Sequence, residues 1–147
     1  MINLSSTLLS TNGLLVLLVG FLCGAPLGSA INKGAMEAKV RAWRVAHSSL
    51  VGGGVMLLAI APNLPGVELP PTLKLIASSL LCISAWSFTF ALTFGAWKGH
   101  RGTAPETSVG STAAYVANIL GVVLSIGSVL MFAWGAGLHL LRALSST

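Results

Sequence analysis

"AWRVAHSSLVGGGVMLLAIA", residues Ala42–Ala61, decides how this chain is read. Beyond Arg44 the run holds no formal charge. At about 1.5 Å per residue it is long enough to cross some 30 Å of hydrocarbon as a helix. It has no strand-like alternation, which argues against a membrane barrel. Three more runs of the same kind follow from the sequence: Leu8–Ile31, Thr72–Trp97 and Ser111–Leu141. The chain is 54% hydrophobic and only 7% charged. Soluble domains carry about 25% charged residues, and this chain cannot build a comparable polar shell. The expectation is an all-α integral membrane four-helix bundle, a single domain over residues 1–147, and oligomeric.

The breaks between the runs carry the topology. "NKGAMEAKVR" joins spans one and two, and "KGHRGTAPETSVG" joins three and four. "PNLPGVELPP", Pro62–Pro71, joins two and three; its prolines stop one helix and delay the next. Lys33, Lys39, Arg41, Arg44, Lys98 and Arg101 cluster at the ends joined by the odd-numbered links, against Lys74 and Arg142 at the other face. The positive-inside rule then puts those links in the cytoplasm of a bacterial-type inner membrane and both termini outside. The net charge of +5 is topogenic and implies no nucleic-acid partner, because the cations occupy short gaps and form no stripe on a folded face. The first dozen residues lack Lys and Arg, so the first run reads as a retained span and not as a signal peptide.

Small and polar residues suggest how the spans meet. Gly20, Gly24 and Gly28 recur in "GFLCGAPLG" as a bare stripe for close helix approach, and Pro26 within it predicts a kink. Cys23 and Cys82 lie in apolar runs and read as buried free thiols. Ser84, Ser87, Thr89 and Thr93 are expected to bond back to their own helix. Trp43, Trp97 and Trp134 fit interface belts, whereas Trp86 sits mid-span, where it can wall a cavity.

The polar residues with chemical potential are few. The chain has no Asp, and its carboxylates, Glu37, Glu68 and Glu106, all fall in links. A proton pump or ion-coupled transporter needs an acidic group at membrane depth, and carboxylate-based catalysis in the bilayer is excluded similarly. His47 stands out, because an ionisable group in a span is costly and marks function by default. The bland alternative is a neutral imidazole hydrogen-bonded across helices. Gly52, Gly53 and Gly54 strip side chains from the next turns, where a flat ligand can lie. Arg41 and Arg44 at the same membrane face are candidates to pair with its acid groups. An imidazole, an apolar slot and guanidiniums together suit haem b, with His47 as the metal ligand. His100 lies in a link and His139 near the opposite face, so neither offers a second axial ligand. The iron is therefore expected to keep an open position and act as a Lewis acid. Tyr115 and Asn118, one turn apart in span four, are the candidates for the substrate side. A unit this small has little interior, so a site between subunits is easier to build.

"WRVAHSSLVGGGVMLLAIAP" resembles the second span of styrene oxide isomerase and of hydroxylaminobenzene mutase, both small four-span membrane proteins. Ala46, His47, Gly54 and the apolar run from Val55 carry the likeness, with looser support from Trp86 and "GAWKGHRGTAPE". The resemblance implies a homotrimer with haem b between neighbouring subunits and His47 as axial ligand. It also implies a redox-neutral rearrangement of a small apolar substrate. Either an aromatic epoxide opens and a 1,2-hydride shift gives an aldehyde, or an arylhydroxylamine becomes an aminophenol. Two positions depart from the pattern. The Asn expected six residues after the His is Gly53, and a Tyr expected in span three is Leu92. Two rival functions follow: haem binding without catalysis, for sensing, storage or electron transfer, and a haem-free membrane scaffold.

Overall fold

A computed structural model describes residues 4–98 and 109–146 of the chain. The helices are α1 (Leu4–Leu22), α2 (Gly24–Asn32), α3 (Glu37–Ile60), a 3-10 helix (Ala61–Gly66), α4 (Pro71–Lys98) and α5 (Val109–Ser145). They form four segments long and apolar enough to span a membrane: Leu4–Asn32, Glu37–Gly66, Pro71–Lys98 and Val109–Ser145. All four runs expected from the sequence fall within them. His100, Arg101 and Glu106 of the third link lie outside the described residues.

The first span is broken where proline demands it. Pro26 has no N–H for the Leu22 carbonyl, so α1 stops at Leu22 and α2 restarts at Gly24. At its far end α2 closes in a left-handed turn at Gly34, whose φ is 61°. There the N–H of Ala35 donates to the Ala30 carbonyl and that of Gly34 to the Ile31 carbonyl. This satisfies carbonyls that the end of the helix would otherwise leave unpaired. The second link works differently. Pro62 and Pro65 turn the end of α3 into the 3-10 helix, and Lys74 Nζ donates to the Leu64 carbonyl at 3.0 Å.

Backbone proximity holds α1 to α3. A Cβ on Gly20 would stand 2.7 Å from the Val51 nitrogen, and one on Gly54 equally close to the Leu17 nitrogen. Only glycine permits that approach, and dispersion then accumulates along the seam. Gly54 is therefore spent on packing and offers no surface to a ligand, contrary to the reading of the three glycines as one slot. The expected stripe in α1 and α2 also divides: Gly20 meets α3, Gly24 faces His47, and Gly28 has nothing within 4 Å of a Cβ.

α5 leans on α4. Ala114, Gly121, Ser128 and Gly135 recur every seventh residue and are all buried. Ser128 Oγ donates to the Ala77 carbonyl at 2.7 Å, and Ser84 Oγ to the Gly121 carbonyl at 2.6 Å. Ser84 thus bonds across helices, correcting the expectation that it bonds within its own; Ser87, Thr89 and Thr93 do bond back. Gly121 opposite Ser84 leaves its carbonyl within reach, which makes the difference. The segment before α4 also straps α5: Glu68 N–H donates to the Gly135 carbonyl at 3.0 Å, and the Glu68 carboxylate meets His139 and Arg142. The core of large buried side chains, Leu9, Leu57, Leu64 and Leu81, sits where α1, α3 and α4 converge. Both cysteines are buried thiols, as expected.

Candidate functional site

His47 lies on α3, half-buried against the break in the first span. Its Nδ1 is 2.8 Å from the Gly20 carbonyl. A carbonyl has no proton to give, so Nδ1 carries the hydrogen and donates it. The neutral ring then keeps its lone pair on Nε2. Bare Gly24 leaves room beside the same edge of the ring: a Cβ there would sit 3.6 Å from Cε1 and Nδ1. The imidazole is held at one nitrogen and leaves the other as a donor. Ligating histidines are usually held in this way, with the second nitrogen bonded to a carbonyl or carboxylate.

His47 alone could offer a metal a single protein ligand. Among the described residues, no group of three or more His, Cys, Asp or Glu converges to hold a bare ion. A bare ion needs several protein ligands, whereas a porphyrin-held iron needs a single axial donor. The Nε2 of His47 would fit that requirement. Arg44, one turn before it, is exposed. Arg41 is also exposed and pairs with Glu37 at 2.9 Å within its own turn.

A second feature lies on the other side of α3. A cavity of about 640 Å³ opens between α3, α4 and α5. Its walls are largely apolar, with Leu81, Phe88, Leu92 and Leu130 among them. Asn118, Ser49, Ser84 and Ser125 supply the polar points, the composition expected of a small-molecule pocket. Gly53 also lines it, and a Cβ there would meet nothing within 4 Å. Tyr115, although one turn from Asn118, is half-buried outside this lining. The two departures noted in the sequence, Gly53 and Leu92, therefore share one chamber with Asn118.

A family model described as styrene oxide isomerase matches residues 5–137. The chain belongs to the styrene oxide isomerase family. The match takes in all of α2, α3 and α4 and most of the other two long helices. No individual curated protein matches the chain. Family membership gives an isomerase-type function as the coarse assignment.

His47 and the chamber do not meet within this family member's single chain. His47 and Gly53 are six residues apart, so their side-chain directions differ by about a third of a turn. The short way round α3 between them is filled by buried Ala46, Leu50 and Leu57, and the longer way by an exposed strip that includes Val45, Ser48, Gly52 and Val55. Sequence reasoning missed one polar element. Trp86 Nε1 donates to Asn12 Oδ1 at 2.9 Å, and Asn12 Nδ2 donates to the Leu8 carbonyl at 2.8 Å. Trp86 does wall a cleft, of about 570 Å³, on the α1 side of α4. Its partner Asn12 sits near the start of an apolar run, where Asn reads as loop composition.

Proposed function

We propose that this chain is a haem b-dependent membrane isomerase acting on a small aromatic epoxide or an arylhydroxylamine without net redox change. The observation that carries this reading is the His47–Gly20 bond, which leaves the Nε2 lone pair available in a family member whose name is an isomerase's. When bound, haem b would supply an iron with one open coordination position, able to act as a Lewis acid towards a substrate oxygen. His47 would hold it, with Arg44 and Arg41 as candidates for its carboxylates.

The rest of the work falls to the chamber. Phe88, Leu92 and Leu130 bury an aryl ring and exclude water, while Asn118 and Ser49 orient the oxygen. Tyr115 stays a candidate for the same side through its position one turn from Asn118. Isomerisation of an epoxide moves a hydride between adjacent carbons and turns the ring oxygen into a carbonyl, so no external reductant or oxidant enters. The bilayer delivers such an apolar substrate sideways into the helices.

The separation of His47 from the chamber supports a shared site. In a closed head-to-tail ring, one edge of each protomer meets the opposite edge of the next. Such a ring, a homotrimer on the family likeness, brings one protomer's imidazole towards its neighbour's chamber across the exposed strip of α3. We place the first and third links in the cytoplasm of a bacterial inner membrane on the positive-inside argument.

The test is turnover. Purified, haem-loaded protein is given styrene oxide and, separately, phenylhydroxylamine. Formation of phenylacetaldehyde or an aminophenol is expected, and is lost in His47→Ala. A haem-loaded protein inert towards both would favour haem binding without catalysis, the rival that the apolar Gly53 and Leu92 leave open.

A further inference from the structure

A third cleft, of about 260 Å³, lies between α2, α3 and the end of α4, at the membrane face that carries the first link. Its walls include Lys33, Lys39, Ser29, Pro26, Trp43 and Trp97, and among the described residues no acidic side chain lines it. Nearby Glu37 is already committed to Arg41. Two lysines therefore line one small cleft, and among the described residues no carboxylate lines it with them.

The cleft is graded along the membrane normal. Lys33 lies seven residues beyond Pro26, a rise of about 10 Å along a helix. The cations thus stand at the link end, and Pro26 and Ala30 line the deeper end. Trp43 and Trp97 flank it at the depth where indoles settle among headgroups. At this volume it is smaller than the roughly 300–1,000 Å³ of pockets that enclose a whole organic ligand. We propose that this cleft binds the phosphate headgroup of an anionic phospholipid, with Lys33 and Lys39 on the phosphate and the acyl chains leaving past Pro26 into the bilayer. Lysine suits that role as a mobile point charge, and basic recesses between spans take anionic lipid heads. The occupant bridges α2 to α4 just below the break that carries Gly24, and so helps to fix the wall behind His47.

The test uses full-length protein in nanodiscs of phosphatidylcholine alone and of an equimolar mixture with phosphatidylglycerol. Native mass spectrometry then counts the lipid retained after release. Wild type is expected to keep phosphatidylglycerol in preference to phosphatidylcholine. Lys33→Gln with Lys39→Gln should cut that preference by about fivefold per cation, roughly thirtyfold for the pair. Lys33→Arg with Lys39→Arg keeps both charges and should keep the preference. Circular dichroism checks that each variant retains its helices. No preference in wild type, or an undiminished one in the glutamine pair, overturns the proposal. Loss of haem absorbance from the glutamine pair with lipid retention unchanged also overturns it, and reassigns the lysines to the carboxylates of the porphyrin.

Discussion

At the scale of the residue, one hydrogen bond organises the site. The Gly20 carbonyl fixes the proton of His47 on Nδ1 and aims the lone pair of Nε2 away from α1. His47 was legible in the sequence because a titratable side chain in an apolar run has few bland explanations. Its partner was not, because a backbone carbonyl is anonymous until the chain folds. Asn118 stood out as an amide in an apolar helix, and it does line a chamber; Tyr115 has a less marked place. Removing the amide with Asn118→Ala is expected to slow turnover by about a hundredfold, as loss of a preorganised donor does, while leaving haem content unchanged. Steady-state kinetics beside the absorption spectrum checks both halves. Gly53 offers the converse experiment. A Cβ there meets nothing within 4 Å, so Gly53→Asn should fold normally and raise the rate of epoxide isomerisation.

At the scale of the element, small residues decide which helices touch. The stripe in the first span was visible as a period of four, yet period alone could not tell which glycine meets a helix, which an imidazole, and which nothing. The seven-residue spacing of Ala114, Gly121, Ser128 and Gly135 was equally present in the sequence and marks the α4–α5 seam. It went unread because no long side chain advertises it. Gly20→Ala puts a methyl against the backbone of α3, which cannot yield, so a loss of about 1–3 kcal/mol is expected. Gly24→Ala makes only ordinary contact with His47 and should melt like wild type. Thermal unfolding in one detergent compares the two. Trp86→Phe removes the bond to Asn12 and should cost about 0.5–1.5 kcal/mol in the same assay.

At the scale of the whole molecule, the fold class was written in composition and run length, because a membrane leaves a chain so few choices. Whether a second copy packs against it was not, since a single chain's hydrophobic pattern reads the same facing lipid or a neighbour. α5 leans on α4 and still exposes Val123, Leu130 and Trp134, among others, to its surroundings. Under the proposed shared site, a second copy would pack on the exposed strip of α3 that includes Gly52. Gly52 lies on that strip with nothing within 4 Å of a Cβ. Gly52→Trp should therefore leave the protomer folded but break the oligomer and haem retention together, as read by light scattering and absorbance.

The most direct measurement is the optical spectrum of the detergent-purified protein, expressed with ample iron and porphyrin, beside that of His47→Ala. The wild type should show a Soret band that the variant lacks, at equal helical content. A colourless wild type, or a variant that keeps the band undiminished, would contradict the assignment of His47 as the ligand and with it the proposed chemistry.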